Sequence, residues 1–182
     1  TPVEETLSAL LELKQAGKIR SIGASNCSVA DVRAYLAAGP LDAVQEEYSM
    51  IKRDLEGSLL PVCLENGVSV LSYSSLALGL LGGRIGPDRV FSGDDQRRDN
   101  PRFSQSNRRK VAALMEEIAP IAHAHSATLA QIVIAWTVQQ PGITFALCGA
   151  RNPEQARENA GAGRLRLSPA DLHSISDAAR RH

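Results

Sequence analysis

Four short stretches carry side chains suited to holding one small molecule that is polar, flat and charged in different parts: Ser25-Asn26, Gln45, Tyr73-Ser74 and Gly149 through Arg151. An Asn or Gln amide presents a donor beside an acceptor, so Asn26 and Gln45 together match a primary carboxamide. The ring of Tyr73 offers a flat face on which a heterocycle can stack. Asn152-Pro153 has the form of a helix start, whose free N–H groups suit a phosphate, and Arg151 beside it can fork onto a phosphate monoester. A carboxamide, a flat ring and phosphates describe a nicotinamide dinucleotide, and the arginine points to the phosphorylated form, NADP(H). Each residue also has a plainer reading. Ser25-Asn26 reads as a loop before a cap at Ser28, and Gln45 as an ordinary strand-end residue. Tyr73 reads as core packing, Arg151 as a solvated charge, and Gln155, Glu158 and Asn159 as the wet face of a helix.

The elements that would position these groups alternate along the chain. Thr1-Pro2-Val3-Glu4 has the form of a capping box with proline at the first helical position. Behind it Val3, Leu7, Leu10, Leu11 and Leu13 repeat at helical spacing as far as Gly17. Ile19 to Ala24 is a short β-type run, and Ser28 with Asp31 opens a second helix that Gly39-Pro40 stops. Ala43 to Glu47 reads as a weak strand, residues 55–65 as a helix with Pro61 in an early turn, and Val68 to Tyr73 as a clear strand. Residues 79–104 dissolve into Gly, Pro, Asp and Arg, and a loop of that length in a compact domain is usually functional or mobile. Helical periodicity resumes near Asn107 and runs to about His125, with Pro120 as a kink or break. Leu129 to Gln140 follows as an apolar helix, Ile143 to Cys148 as a buried strand, and two further helices start at Asn152-Pro153 and Ser168-Pro169.

Four βα units in alternation predict a parallel sheet with helices outside it. The fold class is α/β, and four units are half of a (β/α)8 TIM barrel, whose full form takes about 250 residues. A small open α/β sheet has the same order of elements. In either architecture ligands bind at the carboxyl ends of the strands, where the polar stretches fall. No linker divides residues 1–182, which read as one half-barrel segment with a long loop at 79–104.

The 20 Lys+Arg balance the 20 Asp+Glu, and no basic run marks a nucleic-acid or anionic membrane partner. The longest apolar stretches fall far short of the ~20 residues of a membrane helix, no secretory signal is visible, and a cytoplasmic site is the expectation. Cys27, Cys63 and Cys148 read as reduced packing thiols. His123 and His125, at i and i+2 on a helix, point apart, so no metal is expected. The first residue is Thr rather than Met, which suggests a longer gene product.

Several ordered motifs now resemble one family. GKIRSIGASN, VQEEYS followed by Arg53, VLSYSSLALGLLGG, the DDQR and NPRF segments of the long loop, and CGARNPEQARENA are similar to the second half of an aldo-keto reductase. The resemblance implies a (β/α)8 barrel that reduces aldehydes or ketones with NADPH. It implies that Ser25, Asn26 and Gln45 hold the carboxamide and that Tyr73 stacks on the nicotinamide. Ser74, Leu76 and Ala77 would line the pyrophosphate path, with Arg84 near the phosphates where relatives often carry lysine. Gly149, Arg151, Gln155, Glu158 and Asn159 would surround the adenosine end. Ser75 and Cys148 stand where relatives often have proline. The family's catalytic Asp, Tyr, Lys and His come from upstream strands, so no catalytic residue is expected in this chain. Tyr73 occupies the stacking position. The partners implied are a small carbonyl substrate and the N-terminal half of the barrel or another half-barrel. The alternative is a non-catalytic NADP(H)-binding or regulatory half-barrel module.

Overall fold

In the computed structural model, which describes residues 1–182, four parallel strands form one sheet in chain order. They are β1 (Gly23–Ser25), β2 (Ala43–Glu47), β3 (Ser69–Tyr73) and β4 (Phe145–Ala146). The helices are α1 (Val3–Gln15), α2 (Val29–Ala38), α3 (Leu59–Glu65), α4 (Gln105–Ala124), α5 (Leu129–Val138), α6 (Pro153–Ala162) and α7 (Pro169–Arg181). This is the α/β order of half a (β/α)8 barrel.

The strand period of two separates two faces. Val44, Val70 and Ser72 point into a core shared with Val32, Leu59, Ile132, Val133 and Trp136. The other face is open, and the parallel register sets Ser25, Gln45, Leu71 and Phe145 in one row across it. Ile143 to Cys148 is therefore not a buried strand: only Phe145–Ala146 pair, and Phe145 is 56% and Leu147 40% exposed. The run is apolar enough to be buried, but it forms the sheet edge and its alternate side chains stand on the uncovered face.

Local capping follows the short-range sequence in most places. Ser28 and Asp31 form a reciprocal capping box, as do Ser168 and Asp171, and Asn152 accepts the Gln155 N–H. The start of α1 differs. Pro2 is its N-cap and its carbonyl takes the Thr6 N–H at 3.2 Å, so Thr1 lies one residue too early to cap the helix. α4 runs unbroken through Pro120. Proline removes the bond to the carbonyl at i−4, but Glu116 and Pro120 are both exposed, so water can satisfy that carbonyl. The predicted helix at 55–65 is divided at Ser58 into a 3₁₀ turn (Asp54–Gly57) and α3, with Pro61 in the first turn of α3. No single helix is long and apolar enough to cross a membrane.

Asp42, just before β2, accepts the Lys14 ammonium at 2.8 Å and the Ile22 N–H at 2.7 Å, pinning α1 and β1 together. The Lys14 hydrogen bond first, and then the Ile22 amide, hold the carboxyl below its usual pKa. A depressed folded-state value stabilises the fold above the unfolded pKa of about 4, and that contribution is lost as pH falls through the folded value. Asp42→Asn is expected to cost about 1 kcal/mol at pH 7. In urea melts the deficit should shrink towards zero near pH 2, and a deficit that persists there would contradict the account.

Candidate functional site at the carboxyl edge of the sheet

The first residue beyond β1, Asn26, has φ +55°, a left-handed backbone that asparagine tolerates better than other non-glycine residues and that is held here by several hydrogen bonds. Its own N–H donates to Gln45 O at 3.1 Å. Its side-chain Nδ2 donates to Ser25 Oγ at 3.1 Å, and the Ser25 hydroxyl donates to Gln45 O at 3.0 Å. The Tyr73 hydroxyl, from the end of β3, donates to Asn26 Oδ1 at 2.6 Å. Gln45 is exposed on the open face, in register with Ser25. Ser25, Asn26, Gln45 and Tyr73 thus stand together although they come from three strands.

Beyond β3 the chain enters the left-handed region at Ser74 (φ +56°) and again at Ala77 (φ +48°) and Leu78 (φ +56°). Of five such non-glycine residues, these three and Asn26 all lie at this one edge, a clustering typical of functional sites. Leu76 is partly buried, whereas Ala77 is fully buried and offers no surface. Ser74 and Leu76 keep part of their surface and Leu78 is 38% exposed. Gly83 closes the turn at φ +72°, where a side chain would be strained and its Cβ, 2.6 Å from Leu129 Cδ1, would have to displace that leucine, so the position favours glycine.

A second group forms around the start of α6. The Arg151 N–H donates to Gln155 Oε1 at 2.8 Å, and Asn159 Nδ2 donates to Gly149 O at 3.1 Å, so α6 holds the Gly149–Arg151 turn in place. The Arg151 side chain is left exposed. Arg84, 73% exposed on its side chain, reaches Glu158 at 3.5 Å and links the loop after β3 to α6.

The long loop is pinned, though nearly devoid of regular structure. Arg108, buried in α4, donates to Gly86 O at 3.2 Å and Arg89 O at 2.5 Å. Phe91 packs edge-on against Phe103 with centroids 5.5 Å apart, and Arg97 lies 4.8 Å over Phe91. Arg97 also pairs with Asp95. That hydrogen bond first, and the charge of Arg151 among lesser causes, draws the Asp95 pKa down to about 2. Arg102 forms a 2.7 Å ion pair with Glu47 at the end of β2, opposite Tyr73. Glu46 and Glu47 escaped the sequence reading as site residues. Strand parity could have found both: Glu47 shares the face of Gln45, and Glu46 is a carboxylate at a core-facing position.

The model of the Aldo/keto reductase family matches residues 1–180, and the chain belongs to that oxidoreductase family. It is 41% identical over 179 residues to the NADH-specific methylglyoxal reductase of Escherichia coli (strain K12), covering 98% of this chain and 54% of that protein. It is 34% identical over 181 residues to the NADP(+) aldo-keto reductase yakc of Schizosaccharomyces pombe, covering 98% of this chain and 53% of that one. Among solved structures it is similar to a glycerol dehydrogenase from Gluconobacter oxydans, with a TM-score of 0.92 at 30% identity. That match spans all of this chain and 55% of the other. The chain therefore spans about half the length of the curated relatives it matches.

Proposed function

We propose that this chain is the C-terminal, cofactor-holding half of a (β/α)8 reductase that converts small aldehydes or ketones to alcohols. The observation that carries this reading is the hydrogen bonding of Asn26. Its amide spends one N–H on Ser25 and one lone pair on Tyr73. One donor and one acceptor remain, which is the pair a primary carboxamide needs, and Gln45 adds another amide on the same face. The residues fit a nicotinamide dinucleotide. Asn26, Gln45 and Ser25 would hold its carboxamide, Tyr73 would stack on its ring, Ser74 and Leu76 would follow the pyrophosphate, and Arg84 would stand near the phosphates. Gly149, Arg151, Gln155, Glu158 and Asn159 would receive the adenosine end.

When bound, the nicotinamide supplies a hydride to a carbonyl carbon. The role of this chain is to bind and orient. The proton of the Tyr73 hydroxyl is committed to Asn26, which suits a stacking residue and leaves proton delivery to the other half of the barrel. That half would also cover Phe145 and Leu147 on the open face.

Arg151 and the highly exposed Arg84 support the phosphorylated cofactor. Glu158 favours a second reading, NADH, because an acidic side chain accepts ribose hydroxyls and repels a phosphate. Fluorescence titration of the protein carrying the whole barrel decides between them: tighter binding of NADPH is expected, and equal or weaker binding than NADH would contradict it. Binding without turnover of any small carbonyl would point instead to a non-catalytic module.

Gln45→Ala is expected to weaken cofactor binding by about 1–2 kcal/mol through the lost hydrogen bond. An unchanged dissociation constant would remove Gln45 from the site. Tyr73→Phe, which keeps the ring and frees Asn26 Oδ1, is expected to cost about 0.5–1.5 kcal/mol of binding. Tighter binding would mean that the Tyr73 hydroxyl competes with the cofactor.

A further inference from the structure

We propose that Glu46 is a positioning residue for the nicotinamide end of the site, acting through the backbone of Asn26. Glu46 lies on the core-facing side of β2 and is 5% exposed, an unusual place for a carboxyl group. Its Oε1 accepts the N–H of Cys27 at 2.7 Å. Cys27 directly follows the left-handed Asn26, so this bond fixes the peptide plane on the C-terminal side of the Asn26 Cα. The plane on the N-terminal side is fixed by the Asn26 N–H on Gln45 O at 3.1 Å. Two successive amides are thus anchored to two successive residues of β2, one through backbone and one through a side chain. With both planes held, the direction of the Asn26 Cα–Cβ bond is set, and the Tyr73 hydroxyl at 2.6 Å sets the amide beyond it.

Burial raises the pKa of Glu46, opposed by the amides of Cys27 and Asn26, but the turn uses the acceptor oxygen and not the charge. A glutamine keeps that oxygen in place, whereas a leucine fills the space and leaves the Cys27 N–H without a partner. The peptide plane after Asn26 is then unanchored, and the Asn26 Cα–Cβ direction can shift even though its N–H stays on Gln45 O. The site loses its aim while the adenosine end, held by α6, is untouched.

This inference rests on the cofactor reading above, and the test separates the two. The affinities of NADPH and of ADP-ribose, which lacks the nicotinamide, are measured for the protein carrying the whole barrel and for its Glu46→Leu and Glu46→Gln variants. Glu46→Leu is expected to weaken NADPH about tenfold and leave ADP-ribose unchanged, with Glu46→Gln within about twofold of wild type. Should Glu46→Leu fail to fold, Glu46→Asn, whose acceptor falls short by one methylene, carries the same prediction. Equal losses for both ligands, or no loss for either, would make Glu46 a structural residue only and overturn the proposal. A wild-type protein that binds no nicotinamide dinucleotide would instead overturn the cofactor reading, and this inference with it.

Discussion

Replacing Arg151 with alanine is expected to weaken NADPH binding by about 10- to 100-fold and to leave NADH binding nearly unchanged. The guanidinium is exposed, and its turn is already held by the Arg151 N–H on Gln155 and by Asn159 on Gly149. Truncating the side chain therefore removes a charge without loosening the backbone. A charge-assisted bond to a phosphate contributes about 1.5–3 kcal/mol, and the NADH complex has no such bond to lose. Arg151→Lys should recover only part of the loss, because an ammonium is a point charge and not a planar fork. Equal weakening of the two cofactors would assign Arg151 to the shared pyrophosphate. No weakening of either would return it to a solvated surface charge.

The second large effect concerns the fold beneath the site. Trp136 is fully buried on α5, its ring stacked on Tyr48 at 6.0 Å and 6° between planes. Arg53 lies 5.1 Å over the same indole, and Nε1 donates to Ser176 Oγ on α7 at 3.0 Å. Tyr48 and Arg53 both bond Glu56, at 2.6 and 2.7 Å. Burial first, and then the hydrogen bond to Glu56, push the Tyr48 phenol well above its usual range, so it stays a neutral donor. The indole thus joins the segment just after β2 to both α5 and α7. Trp136→Ala is expected to cost about 4 kcal/mol from the large cavity and the lost stack. The check is a lower urea midpoint with an unchanged slope. Trp136→Phe should recover most of that, losing the Ser176 bond. A cost below about 1 kcal/mol for alanine would mean that the neighbours collapse into the space.

Much of the architecture could be read from short-range sequence because its causes are short-range. Ser28 with Asp31, Asn152 with Gln155, and Ser168 with Asp171 close their caps over three residues, and these helices start where the sequence places them. The strand at Ala43–Glu47 was weak by composition, and it forms with those bounds because β1 and β3 pair on either side of it. What was not legible depends on distant partners. The exposure of Phe145 follows from the uncovered face it shares with Gln45, and the 2.7 Å pair of Arg102 with Glu47 spans 55 residues. Strand parity sets Glu46 and Glu47 on opposite faces, but only the folded chain shows what each meets: the Cys27 N–H beneath Asn26 for Glu46, and Arg102 beside Tyr73 for Glu47. The left-handed turn at Asn26 was likewise invisible, since Ser-Asn before a helix suits an ordinary cap equally well.

The most direct measurement is a crystal structure of the protein carrying the whole barrel, grown with NADPH. The carboxamide should lie within hydrogen-bond distance of Asn26 and Gln45, with the nicotinamide ring against Tyr73 and the adenosine phosphate at Arg151. A dinucleotide seated elsewhere, with Asn26 still bonded only to Ser25 and Tyr73, would contradict the account.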